Sequence, residues 1–204
     1  MARRITTRDR EAMLADFSYE ARIAYVAFCA ERCLAEARRH PAAAAQLENQ
    51  PLLREGVELL WSAASGTAPT DKARVALVRD HVAQYERPHA SGEAVVYARD
   101  ITLVSAARVL AKGMRFLEDP GSATADFVVG ALDGPAVLIG TIYEDAMASR
   151  REEVAVIDAA LERLRGAAPP ITRDLFRDIP DWPRGALTRI YASGQLTDSS
   201  VDED

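Results

Sequence analysis

Between Tyr19 and Arg39, Ile23, Ala27, Ala30 and Leu34 recur at the 3.6-residue period of a helix and mark one buried stripe. Start and stop signals of the same kind recur along the chain, and strand-type alternation never exceeds about four residues. This patterning predicts an all-α fold: a single bundle of six to nine helices joined by short loops. Alanine occupies 38 of 204 positions while aromatics make up 6%. Since alanine favours helix and disfavours strand, composition reinforces that reading. A chain of this length hides roughly 70% of its unfolded surface, so it needs neither disulfide nor metal to hold a core.

The punctuation divides the chain into elements. Thr6-x-x-Asp9 has the form of a capping box opening a short helix to about Asp16. Ser18 opens the helix to Arg39, and Pro41 ends it. Pro51 begins a helix to about Ala64 with Gly66 as its stop. Thr70 or Asp71 caps a helix to about Tyr85, Arg87-Pro88 breaks it, and Ser91 starts a broadly apolar helix ending at Gly113. Asp119-Pro120 opens a short helix to Leu132, and Asp133-Gly134-Pro135 reads as a tight break. From Ala136 to Arg165 the pattern fits one long helix or two, with Ser149-x-x-Glu152 as the place for a break. Gly166 closes that region, and short helical pieces follow near 172–179 and 183–192. The domain is expected to span residues 1–194, with an acidic, disordered tail over 195–204.

Charge narrows the partners. There are 25 basic and 31 acidic residues, a formal net charge of −6. Residues 1–102 carry 14 of each sign, whereas 103–204 carry 11 basic and 17 acidic residues. The only basic cluster in the sequence, Arg3, Arg4, Arg8 and Arg10, is terminal and diluted by Asp9, so nucleic-acid binding is not expected. An acidic half suits a basic protein partner. Lys72 and Lys112 are the only lysines against 23 arginines, a bias that fits a GC-rich bacterial genome.

No segment resembles a targeting signal. The best membrane candidate, Phe127–Tyr143, is read as cut by Asp133-Gly134-Pro135, so no membrane association and a cytoplasmic location are expected. Cys29 and Cys33 are poorly placed for a disulfide and read as buried free thiols.

Catalytic signatures are sparse. Asp80-His81 reverses the His-Asp order of helical metal phosphohydrolases and reads as a charged pair on a helix surface. Glu86-x-x-His89 has the ligand spacing of di-iron bundles, but Pro88 lies inside it and no second copy exists. Glycine-rich phosphate loops and Gly-x-Ser-x-Gly are absent, and Gly130, Gly134 and Gly140 read as close-packing positions. No catalytic residue, metal site or cofactor is expected. Asp126, Asp133, Glu144 and Asp145 cluster around the Gly134-Pro135 turn and read as a solvated acidic face or a protein-docking patch. Trp182, on a loop between Pro180 and Pro183, reads as a Trp closing the bundle end or as a contact for a partner, while Trp61 reads as core.

The run Ile23-Ala-Tyr-Val-Ala-Phe-Cys-Ala-Glu-Arg-Cys-Leu34, followed by Gly56-Val-Glu-Leu-Leu-Trp61 and Gly66, resembles the early helices of an uncharacterised all-helical bacterial family. That family is similar to the immunity proteins of bacterial toxin systems. The resemblance covers residues 23–66. It implies a non-catalytic protein that binds and neutralises a cognate toxin, with Glu31-Arg32 as a helix-surface or inter-helix ion pair. A basic toxin would meet the acidic second half by electrostatic steering. The competing readings are a helical enzyme with a carboxylate metal site among Asp126, Asp133, Glu144 and Asp145, and a helical adaptor or self-associating scaffold. A helix-turn-helix regulator is disfavoured, because residues 1–60 lack a glycine turn and a basic recognition helix.

Overall fold

The helix from Tyr19 to Arg39 is enclosed on nearly every side: fourteen of its 21 residues are buried, including Arg32 and Glu36. The computed structural model describes residues 5–39, 41–66, 71–85 and 98–179. Its helices are α1 (Thr7–Ala15), α2 (Tyr19–Arg39), α3 (Pro41–Glu48), α4 (Pro51–Ser65), α5 (Lys72–Val82), α6 (Ala98–Glu118), α7 (Ala125–Val129), α8 (Asp133–Ile142) and α9 (Ala146–Leu164). Apart from the five-residue α7, each has eight residues or more, and no strand occurs among the described residues. The expected all-α bundle is what forms.

Small residues let α2 sit at the centre. Ala21, Ala24, Ala27, Ala30 and Ala37 are all buried, and α4 and α6 pack along its flanks. The predicted stripe of Ile23, Ala27, Ala30 and Leu34 is inside, but so is most of the opposite face. Helix α5 lies on α6 and α4, α8 lies between α6 and α9, and α1 closes the end against α7 and α9. Buried apolar side chains from these helices form one continuous cluster.

Several predicted ends are exact in their chemistry. The Thr6–Asp9 capping box opens α1, Asp71 accepts from the Ala73 and Arg74 amides at the start of α5, and Gly66 ends α4 at φ +65°. Arg22 of α2 donates to the carbonyls of Leu14, Ala15 and Ala123, at 2.8, 2.9 and 2.9 Å, tying α1 and the start of α7 to the central helix.

Elsewhere the sequence signals do more than expected, or something different. Pro41 opens α3 rather than only closing α2, as suits a proline in a first turn. The apolar helix runs past Gly113 to Glu118. The missing side chain there lets Leu60 of α4 press on α6, since a Cβ would lie 2.7 Å from a Leu60 methyl. Asp119 does cap, but over the 3₁₀ turn Pro120–Ser122. Asp133-Gly134-Pro135 is not a break. Leu132 and Asp133 hold helical angles, and Pro135 is the third residue of α8, where a missing N–H costs little. The real interruption is Tyr143, extended at φ −103°, ψ 144°, after which Asp145 caps α9 through the Ala148 amide at 2.9 Å. Ser149 and Glu152 lie inside α9. By length and apolar composition alone, Ala125–Ile142 meets the test for a membrane span, and 44% of it is buried within the bundle.

The residues 86–97 and 180–204 lie outside the described residues, and with them the Glu86-x-x-His89 motif, Ser91, Trp182, the 183–192 piece and the acidic tail.

Two glycines of α8 separate packing from propensity. A Cβ at Gly134 would run into Val109 Cγ2 of α6 and approach the Ser105 carbonyl, whereas at Gly140 the nearest atom is 3.8 Å away. Gly134→Ala is expected to destabilise by about 1–3 kcal/mol through overpacking. Gly140→Ala is expected to stabilise by about 0.5–1 kcal/mol. Urea unfolding midpoints should therefore shift in opposite directions.

Candidate functional site

Tyr25, Cys29, Arg32, Cys33 and Glu36 share one stripe of α2, and all are buried. Helix α9 supplies the counterpart. Arg32 Nε and Nη2 donate to Glu153 Oε1 and Oε2, both at 2.7 Å, with Glu153 fully buried. The Tyr143 hydroxyl donates to Glu36 Oε1 at 2.8 Å, and Arg39 Nη1 lies 3.6 Å from Glu36 Oε2. At the other end, buried Arg10 of α1 holds Asp158 of α9 in a fork at 2.6 and 3.0 Å. The Tyr25 hydroxyl is buried beside the Cys29 thiol.

Thiols, carboxylates and phenols on one stripe have the composition of a catalytic centre, but their electrostatics oppose nucleophilic chemistry. Burial pushes both thiols far above their ordinary value, with the Glu153 charge adding to the effect at Cys29. A thiol held protonated is neither nucleophile nor metal ligand. Burial also raises the carboxyl of Glu153, against the pull of Arg32, and raises the Tyr143 hydroxyl, with the Glu36 charge second. Arg32 with Glu153, and Glu36 with Tyr143, satisfy one another and fix how α2 meets α9 and the joint before it.

The resemblance implies a helix-surface or inter-helix ion pair at Glu31-Arg32, and each residue does pair with another segment, Arg32 with Glu153 and Glu31 with Arg173. Glu31 points to the opposite side, accepting from Trp61 Nε1 at 2.9 Å and from Arg173 Nε at 2.9 Å. Arg173 also forks onto Glu58 of α4 and stands 5.4 Å from the Trp61 ring centroid. Phe176 stacks on Phe28 at 4.8 Å and leans on Trp61 at 5.7 Å. The segment after Gly166 is thus a strap across α2 and α4, and Trp61 is core as expected.

The predicted acids do not converge. Asp126 is exposed in the first turn of α7, its carboxyl held below the usual range by the Thr124 hydroxyl. Glu144 and Asp145 are exposed at the α8–α9 joint, where Asp145 is committed to the cap. Asp133 is exposed on the opposite end of α8. No group of three or more His, Cys, Asp or Glu among the described residues is placed to hold a metal. The carboxylate-metal arrangement is therefore absent there. Nor does Asp80 pair with His81. Asp80 accepts from Arg79 at 2.9 Å, while His81 packs edge-on to Tyr85 at 5.8 Å, its basicity lowered by burial.

What the sequence reading missed faces Asp133. Arg108, Lys112 and Arg115 of α6 line a groove of about 490 Å³ with Phe127, Gly130 and Asp133. Lys112 Nζ lies 4.2 Å and Arg115 Cζ 5.0 Å from the Phe127 ring centroid. The signal was present: three cations at i, i+4 and i+7, one of them among only two lysines in the chain.

Arg32→Met strands Glu153 in the interior and is expected to cost about 3–5 kcal/mol at neutral pH, with Arg32→Met/Glu153→Leu recovering most of it. The folded-state pKa of Glu153 is already raised, and losing Arg32 raises it further. The native state of the variant therefore binds the proton more tightly than the unfolded chain does, and its deficit should narrow as pH falls. Unfolding curves from neutral to mildly acidic pH measure this. Against family models, curated proteins and solved structures alike, the chain finds no match.

Proposed function

We propose that this protein is a non-catalytic binding bundle that recognises another protein, with neutralisation of a basic bacterial toxin as its role. The observation that carries this reading is the outer face of α8 and the start of α9. Asp133, Val137 and Thr141 are exposed at i, i+4 and i+8 on α8, followed by Glu144, Asp145 and Met147. Val137 and Met147 are 42% and 68% exposed, two of the three large apolar side chains left open among the described residues. Apolar side chains ringed by charge are the usual makeup of a docking surface. The acids at the joint would steer a basic partner, while the apolar pair supplies contact area.

The internal chemistry supports the same reading. Arg32, Glu153, Glu36 and Tyr143 are spent on each other, which favours a rigid scaffold and lowers the ordering cost of association. The resemblance of residues 23–66 to a family akin to immunity proteins supplies the partner class. A cytoplasmic location accords with two free thiols, Cys29 and Cys33.

Capture of a partner from the native host at low and high salt tests the proposal. A basic protein retained at low salt and released at high salt is expected, with Glu144→Lys weakening capture about tenfold and Met147→Asp at least as much. Recovery of no partner, or a salt-indifferent one unaffected by both variants, would rule the reading out.

A further inference from the structure

The arginines that build the scaffold are compensated: Arg10, Arg32 and Arg173 each grip a carboxylate with both arms of the guanidinium. Arg108, Lys112 and Arg115 are not. None of the three forms an ion pair among the described residues, although the chain carries more acids than bases. All three stand on one face of α6 and open into one groove.

Phe127 holds two of them, Lys112 and Arg115, without neutralising them. Its face attracts Lys112 and Arg115, and its ring is fixed edge-on against buried Phe116 at 5.7 Å. The Phe116 carbonyl in turn accepts from Tyr19 at 2.9 Å. Gly130 keeps the floor clear, since a Cβ there would stand 3.3 Å from Lys112 Nζ. The groove therefore holds two cations positioned on Phe127 and a third, Arg108, on the same helix face, with no ion pair to any of them among the described residues. Its size lies within the range of roughly 300–1,000 Å³ common to small-molecule sites.

We infer that this groove binds a small molecule bearing a diphosphate, with hydroxyl or amino groups at its other end. Seven residues separate Arg108 from Arg115, about 10 Å along the helix, more than a single phosphate spans. Two guanidinium forks flanking an ammonium suit successive phosphoryl groups. Asp133 on the opposite wall accepts from donors and repels a further anion, which orients the molecule. The inference shares Asp133 and Val137 with the protein-docking face but rests on the cations of α6, so it survives the failure of that reading.

Calorimetric titration of the full chain with inorganic pyrophosphate and with ADP, at fixed ionic strength, tests it. Saturable one-to-one binding is expected. Arg108→Gln, Lys112→Gln and Arg115→Gln should each weaken it about tenfold, while Arg151→Gln on α9 leaves it unchanged. Asp133→Asn, which removes only a repelling charge where the probe offers no donor, should tighten pyrophosphate several-fold. A variant effect that merely loosened the fold would weaken binding in every case, so the opposite sign at Asp133 separates recognition from stability. Absence of saturable binding to either probe, equal loss in Arg151→Gln, or weakening of pyrophosphate binding by Asp133→Asn would overturn the inference. So would groove-dependent capture by phosphatidic acid vesicles without binding of the soluble probes, which would assign the cations to a lipid headgroup.

Discussion

Everything in this bundle is arranged around a helix that has almost no outside. Once α2 is enclosed by α3, α4, α6, α8 and α9, its polar side chains have no water to turn to, and each needs a partner from a neighbouring helix. Glu153 answers Arg32, Tyr143 answers Glu36, and Asp158 answers Arg10 at the α1 end. A sliding or rotated α9 would strand several of these groups together, so the polar contacts select one packing among the many that an alanine-rich, weakly shaped core would tolerate.

The enclosure also explains which features were legible in the sequence. Ends governed by local chemistry, such as Thr6 with Asp9, Asp71 and Gly66, could be read because the capping atoms lie within a few residues. Pro135 misled, and the helix that Pro41 opens went unread, for a shared reason. A proline forbids an upstream hydrogen bond, yet in a first turn that bond does not exist, and sequence alone does not say which turn it occupies. Periodicity found the inner stripe of α2 but not its second buried face, because alanine looks alike on an exposed and a buried surface.

Charge was the least legible property. Summed along the chain, the second half is acidic, and that sum pointed to an anionic surface between 126 and 145. Folding distributes it differently: Asp145 is consumed by a cap, Glu153 by Arg32, and Asp133 is set opposite three cations. Net charge governs the far field, whereas recognition depends on which charges remain uncompensated in one place. Arg108, Lys112 and Arg115 are such charges, and their helical spacing was visible while their lack of partners was not.

Gly134 and Val109 meet where α8 crosses α6, and both also line the cationic groove. The separation of these two helices, and with it the width of the opening above them, is set by a hydrogen atom at one position and an isopropyl group at the other. Bulk added at one site must be surrendered at its neighbour if the opening is to keep its gauge. The two positions can therefore exchange size only as a couple, and enlarging both would force α8 and α6 apart and widen the opening.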